Sequence, residues 1–391
     1  MSNIFAPFED TIANRHRRAQ EWKEKHKGKR VAGYLCCTAP EEIIFAGGHL
    51  PVRIVGGTEV IGKVDDYIPH YACHYARRCL DLSLGGVYDY LDNVVVNNTC
   101  DVMAKMEFWW RLANPHPQPT IAGVELCPYL LYINYPEKVT GRKVLEFVTH
   151  ELRKFMQCLE RAEFTTYTDD MLRKAIEVYN EHYGYMERLR ELRKQEPPLV
   201  SGYEAWMVEC SSLFMPKDEH NALMKAFLKE VPNRKDKPRP AARLYLTGSA
   251  IDPVGAKLYK MIEEAGGQVV SEDISSGSSY FWTKIDTSLP PLQAIAQRTL
   301  DVRCPRSTTS DPMPNLRLDF IKKTADGFGL QGVVVYNLSY CECRALENPL
   351  IKEKAKEWFN IPTLFLEGEY TDESLEECRG RIEAFVEMLE G

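Results

Sequence analysis

The 391-residue sequence has no run of about 20 apolar residues, the length needed to cross a bilayer. Its N-terminus, MSNIFAPFEDTIANRHRRAQEWKEKHKGKR, has no apolar core of signal-peptide length, so a cytoplasmic protein without a membrane partner is expected. Basic excess is also lacking. The net charge of −7 gives no electrostatic reason to expect nucleic acid. No GxGxxG follows a strand-like run, which leaves a tight dinucleotide site unsupported. GTEVIGKV (57–64) falls one position short of the phosphate-loop pattern, because Val64 cannot supply the hydroxyl that holds magnesium. DDYIP just after it is a poor helix start, whereas the motif needs a helix N-terminus facing phosphate. No nucleotide site is expected in this chain. Nor is there a compact CxxC pair among the 12 cysteines, so they spell out neither a zinc ribbon nor a simple ferredoxin. In a reducing compartment they are expected to be thiols or metal ligands.

What is present is ordinary globular composition, 44% hydrophobic and 27% charged, at a length that suits two or three domains. After a charged amphipathic N-terminal helix (1–30), the segment VAGYLCCTAPEEIIFAGGHLPVRIVGG (31–57) reads as strand, cysteine-containing turn, helix, Gly-Gly stop and strand. This is a βαβ unit. Pro40, the acidic Glu41 and Glu42, and Gly47-Gly48 follow the usual asymmetry of helix ends. Residues 242–274 repeat the scheme. The runs LDNVVVNNTC (91–100) and LQGVVVYNLSYC (330–341) correspond in the same way, each a valine-rich buried strand that ends in polar residues and a thiol. The prediction is an α/β fold of two Rossmann- or flavodoxin-like lobes with parallel sheets, related by an apparent duplication, at 31–138 and 241–391. Between them, 139–240 reads as a helical insertion that ends in the linker VPNRKDKPRP (231–240).

Ligands of open α/β sheets bind at the carboxyl ends of the strands, where Cys100 and Cys341 are expected. Cys73 opens a helix-like segment, a position that lowers a thiol's pKa and favours thiolate ligation. Soft thiolates select zinc or iron-sulfur clusters, and scattered ligands favour the latter. Cys79, six residues from Cys73, points elsewhere and suits core packing. Of Cys341 and Cys343 only one needs to face a cluster, and Cys36-Cys37 are second-tier candidates. Cys127, Cys158, Cys210 and Cys378 lack partners, and Cys304 stands apart in an RCP sequence. Glu41 and His74 are candidate acid-base residues, although a first-turn carboxylate and a lone histidine both have ordinary structural explanations. Trp109-Trp110 and SSYFW (278–282) could line an aromatic pocket or simply belong to the core. Arg77-Arg78 could meet an anionic cofactor tail or form a solvated helix face.

These segments resemble one family, the catalytic subunits of 2-hydroxyacyl-CoA dehydratases and ATP-dependent benzoyl-CoA reductases. The resemblance is carried by GYLCCTAPEEIIFAGGHLPVRI, YACHYARRCLDLSLGGVYDYL, TCD, the LTG and IEEAGG segments, and YCECRALENPLIKEKAKEWFNIPTLFLEGEY, in order from about residue 20 to the end. It implies one [4Fe-4S] cluster held by Cys73, Cys100 and Cys341, with one iron left open. It further implies an acyl-CoA substrate, a homologous second catalytic subunit and a separate ATP-hydrolysing iron-sulfur electron donor. Low-potential electrons would then form a thioester-stabilised radical anion. A related branch holds a double cluster through further cysteines, but Cys79 does not match and 80–99 has none, so a single cubane is expected. SSYFW and the CP near 304 resemble the aromatic-ring reductases slightly more. The expected role is an oxidoreductase subunit of benzoyl-CoA reductase type. The alternatives are a lyase subunit, a 2-hydroxyacyl-CoA dehydratase, and a non-catalytic electron-relay or scaffold subunit.

Overall fold

The computed structural model describes residues 3–58, 62–114, 120–121, 124–125, 129–136, 138–163, 166–250, 255–274, 277–281, 283–302 and 315–391. The first sheet is built from Val31–Tyr34 (β1), Leu50–Arg53 (β2) and Asn93–Asn97 (β3). A two-stranded antiparallel ribbon follows, Thr120–Ile121 (β4) with Val124–Glu125 (β5), and Leu130–Ile133 (β6) completes the sheet in the order β2-β1-β3-β6. Ala242–Gly248 (β7), Gly267–Glu272 (β8), Gly332–Leu338 (β9) and Thr363–Gly368 (β10) form the second sheet, β10-β9-β7-β8. All pairings within both four-stranded sheets are parallel. Numbered by appearance within each sheet, both orders read 2-1-3-4. The expected α/β fold with two lobes of the same topology is therefore present. The central strands are covered on both faces, which is why Val94, Val95, Val96, Val333, Val334 and Val335 form unbroken buried runs instead of alternating with polar residues.

The N-terminal segment, read from sequence as one helix, is two: Ala6–Ala13 and Arg15–Lys25. Asn14 breaks it with non-helical dihedrals, its side-chain amide donating to the Asp10 carboxylate at 2.7 Å. The middle of the chain contributes the helices Arg142–Glu163, Asp169–Lys194, Gly202–Ser211 and Lys217–Glu230. Leu172, Ile176, Tyr179, Tyr183 and Met186 lie on one buried stripe at helical spacing. Ser201 and Glu204 form a reciprocal capping box at the start of Gly202–Ser211. In the 231–240 stretch, Arg234 pairs with both carboxylate oxygens of Glu204 at 2.7 Å. Among the described residues no helix is long and apolar enough to cross a membrane.

Glu41 and Glu42, in the first turn of the helix Glu41–Ala46, are fully buried. Glu41 accepts from Tyr34 Oη (2.7 Å), Tyr179 Oη (3.3 Å) and Lys217 Nζ (2.9 Å). Glu42 accepts from Tyr183 Oη at 2.9 Å and lies 3.8 Å from Arg298. Burial pushes the Glu42 carboxyl above its ordinary range, against the opposing pull of Arg298. Two adjacent carboxylates thus bind the first lobe to the helical segment, through Lys217 and Tyr183, and to the helix Pro291–Asp301, through Arg298.

A buried ion pair that loses one partner leaves a charge without compensation. Lys217→Met is therefore expected to lower unfolding stability by about 3–5 kcal/mol in urea titrations, and adding Glu41→Gln to it should recover much of that loss. His182 and His220 are buried side by side, their rings 5.1 Å apart. Burial, with the Lys217 charge, lowers His220 from 6.5 to about 3, and burial with the His220 charge lowers His182 as well. As pH falls from 6.5 toward 3, the unfolded chain takes up protons that the folded chain refuses, so stability should fall across that window and stay flat above it. The urea midpoint is expected to be lower at pH 5 than at pH 7.5, with the difference reduced in His220→Gln.

Candidate functional site

In a sheet of order 2-1-3-4 the crossovers leave strands 1 and 3 in opposite directions, which opens a crevice at their carboxyl ends. Here those strands are β1 and β3 in one sheet and β7 and β9 in the other. The segments that follow them carry Cys36-Cys37, Thr99-Cys100, Ala250 and Tyr340-Cys341, and all of these line one cavity of about 490 Å³. Cys73 joins them from the segment after β2, and Cys343 from the turn after Cys341.

Three of the thiols stand at helix starts. Cys73 precedes the helix His74–Leu84, Cys100 precedes Asp101–Ala113 and Cys341 precedes the short Glu342–Ala345. The Cys100 sulfur accepts the Met103 N–H at 3.5 Å. The sulfurs of Cys341 and Cys343 lie 3.9 Å apart. Hydrogen bonds from Cys343 and then Cys73 pull Cys341 well below an ordinary thiol, with the Arg344 charge acting in the same direction. The complementary hydrogen bonds, to Cys341 for Cys73 and to Cys100 and Cys341 for Cys343, push those two thiols up together with burial.

Among the described residues no group of three or more His, Cys, Asp or Glu side chains is placed to hold a metal ion. The thiols surround a volume instead of converging on a point. Soft donors spread around a cavity of this size fit a thiolate-bound cluster in their chemistry, since such clusters take Cys ligands from separated segments.

The walls are held by polar contacts. Cys36 is in the left-handed region at φ 66°, uncommon for a side chain with a Cβ, and the turn is held by Arg53 donating to the Cys36 carbonyl and by Thr99 Oγ1 donating to the Cys36 sulfur at 2.9 Å. Arg53 also donates to Tyr75 Oη at 3.3 Å, tying the Cys73 helix to the same turn. Tyr340, next to Cys341, is likewise left-handed at φ 63°. In the second lobe, Ser249 N–H donates to the Tyr336 carbonyl (2.9 Å), and Ser249 Oγ accepts from the Leu338 N–H (3.0 Å). Arg344 is buried on the cavity wall, 3.8 Å from Asp273 and 3.6 Å from Glu347. Tyr71, Tyr75, Trp109 and Tyr340 supply aromatic surface, with Tyr71 and Leu346 exposed at the rim.

Other candidates fall elsewhere. Glu41 is in the buried ion-pair network described above. His74 faces a neighbouring polar pocket with Arg77, Arg78 and Glu369, 4.0 Å from the Glu369 carboxylate, and burial lowers its pKa. Cys79 is buried with its sulfur 3.9 Å from the Ile54 carbonyl, Cys210 and Cys378 are buried, and Cys158 accepts from Arg161 at 3.1 Å. Cys127, Cys304 and Trp282 lie outside the described residues. Trp109 lines the cavity while Trp110 is core, and Tyr280 and Phe281 are core as well. In the near-match to a phosphate loop, whose residues 59–61 lie outside the described set, the N–H groups of Gly62, Lys63 and Val64 donate to the Asp81 carboxylate. Sequence reasoning missed Thr99, Arg53, Ser249 and Arg344, and set Cys343 aside as redundant with Cys341. Polar residues close to each strand-end thiol, Thr99 before Cys100 and Cys343-Arg344 after Cys341, were the available signal.

Residues 36–389 match the family model described as 2-hydroxyglutaryl-CoA dehydratase, D-component. The (R)-phenyllactyl-CoA dehydratase beta subunit of Clostridium sporogenes is 26% identical over 392 residues, which covers 100% of both chains. A benzoyl-CoA reductase subunit of Thauera aromatica is 25% identical over 341 residues, 87% of this chain and 86% of its own. The (R)-2-hydroxyglutaryl-CoA dehydratase beta subunit of Acidaminococcus fermentans is 22% identical over 379 residues, 94% of each.

Gly248 ends β7 at φ 135°, and a Cβ there would run into the Tyr336 carbonyl that accepts the Ser249 N–H. Gly248→Ala is expected to cost about 1–3 kcal/mol in urea unfolding and to shift the Ser249-Ala250 wall of the cavity.

Proposed function

Because the chain belongs to the 2-hydroxyglutaryl-CoA dehydratase D-component family, we propose that it is the iron-sulfur subunit of an aromatic acyl-CoA reductase of the benzoyl-CoA type. In this reading Cys73, Cys100 and Cys341 hold one [4Fe-4S] cluster. The observation that carries it is the meeting of these three thiols, drawn from both lobes, around one cavity. When bound, the cluster supplies single low-potential electrons to a CoA thioester. Cys73 and Cys100 each stand at the start of a helix, and the Cys100 sulfur accepts the Met103 N–H. Arg344, buried on the cavity wall, offsets part of the negative charge that three thiolates bring to the site. Tyr71, Tyr75, Trp109 and Tyr340 give an acyl group an aromatic surface.

A second reading, a dehydratase of an aromatic 2-hydroxyacyl-CoA, is favoured by the full-length match to a phenyllactyl-CoA dehydratase subunit. The same aromatic surface serves either substrate. The sequence argument for the reductase from SSYFW loses force, because Tyr280 and Phe281 pack in the core away from the thiols. Both readings include a homologous partner subunit, since the relatives are themselves named as subunits, and an ATP-hydrolysing iron-sulfur donor.

The chain purified without oxygen is expected to be brown, with about four irons that Cys100→Ala loses. A colourless, iron-free wild type would refute the cluster. Assays with the partner subunit, the reduced donor and ATP then separate the reactions: ring reduction of benzoyl-CoA supports the first reading, dehydration of phenyllactyl-CoA supports the second, and neither points to an electron relay.

A further inference from the structure

Among the described residues two pairs of cysteine sulfurs lie 3.9 Å apart, Cys36 with Cys37 and Cys341 with Cys343. The pairs differ in what a bond would require. Cys36 and Cys37 are adjacent, so a bond between them would close a tight ring through one planar peptide unit, and the Cys36 sulfur already accepts the Thr99 hydroxyl. Cys37 is also buried. Cys341 and Cys343 are both half-buried, and both line the open-mouthed cavity, where a small molecule from solution can reach them.

The backbone under this second pair is fixed. Cys341 N–H donates to the Leu338 carbonyl at 2.9 Å, and the Cys341 carbonyl accepts the N–H groups of Arg344 (3.1 Å) and Ala345 (3.0 Å), which sets the turn Glu342–Ala345. A helical residue between two others puts their Cα atoms about 5.4 Å apart, and a disulfide spans about 4.4–6.8 Å. The backbone therefore suits a bond without moving. A change of side-chain rotamer is enough to bring the sulfurs from 3.9 Å to bonding distance.

We propose that Cys341 and Cys343 form a reversible redox pair in the chain before it holds a cluster, oxidised by a small-molecule disulfide of the glutathione class. One thiolate of the pair attacks the small disulfide and displaces half of it, and the second protein sulfur then displaces the other half. One sulfur–sulfur bond forms in the protein and one breaks in the oxidant. Two protein thiols are oxidised, and their protons are balanced by those on the two small thiols released. In the oxidised pair Cys341 has no thiolate to offer, so the site takes no cluster until the bond is reduced. That consequence rests on the cluster reading given above; the disulfide itself does not.

The full-length chain, made iron-free with a chelator in the absence of oxygen, is incubated with glutathione disulfide, unfolded, alkylated with iodoacetamide and cleaved with trypsin. Cleavage after Lys323 and Arg344 leaves both thiols on one peptide, 324–344. That peptide is expected to be two hydrogens lighter than its reduced form and to bear no alkyl group, and to take two alkyl groups after dithiothreitol. Cys343→Ser is expected to retain glutathione on Cys341 instead, since the second displacement is lost. A wild-type peptide that takes two alkyl groups without reduction, holds glutathione on both thiols, or is joined to the peptide of Cys73 or Cys100 overturns the proposal. Iron and sulfide are then offered to the oxidised and the reduced wild-type chain, and the oxidised chain is expected to take up about tenfold less iron. Equal uptake overturns the withholding of Cys341. A reduced chain that takes up none refutes the cluster reading, while the peptide masses still decide the disulfide.

Discussion

Buried charge has to be compensated where it lies, and in this protein that requirement falls on one turn of helix. Glu41 and Glu42 are adjacent in sequence but face different partners, Lys217 with Tyr34 and Tyr179 on one side, Tyr183 and Arg298 on the other. Three parts of the chain are joined through these two carboxylates: the first sheet, the central helices and the helix Pro291–Asp301. The turn bearing Cys36 and Cys37 leads directly into this helix. Any shift of the central helices would therefore be transmitted to one wall of the thiol cavity, and the geometry of the site depends on a network that does not line it.

The cavity itself is a product of repetition. A single sheet of order 2-1-3-4 offers one crevice, lined by the segments after its first and third strands. Two such sheets, meeting at their carboxyl edges, offer one shared, open-mouthed cavity with donors from both sides. Each edge contributes a backbone held at positive φ, Cys36 in one lobe and Tyr340 in the other. Arg53 and Thr99 hold the first, and Ser249 anchors the end of the strand leading to the second. Strain of this kind persists where surrounding contacts over-determine it, and here it is found at the walls of the site.

Much of this was legible in the sequence, and the limits have physical causes. The βαβ units, the valine strands and the equivalence of Cys100 and Cys341 follow from local pattern, because strand burial and helix-end chemistry act over a few residues. The resemblance to the dehydratase and reductase subunits was legible too, from segments spread along nearly the whole chain, and the family match agrees. Partners distant in sequence were not legible. Glu41 read as a first-turn carboxylate because Lys217 and Tyr179 reach it only in the folded chain. Whether Tyr280 and Phe281 lined an aromatic pocket or the core stayed open, because pattern cannot tell a buried ring from one lining a cavity; both are buried, away from the thiols. Asn14 was passed over because a single side chain bonding to Asp10 outweighs a continuous helical pattern. Cys343 was set aside by counting ligands, whereas its position depends on how the turn after Cys341 closes.

The thiols that meet in this cavity are made far apart in time. Cys73 and Cys100 leave the ribosome early, within a segment whose strands pair through local βαβ crossovers, while Cys341 follows about 240 residues later. Contacts of such sequence separation form late, after each lobe has its own sheet. The first lobe therefore holds half a site through most of synthesis, its thiols facing a wall that does not yet exist. The cavity becomes a chemical environment only when the second lobe docks, so the order of assembly is written into the spacing of its cysteines.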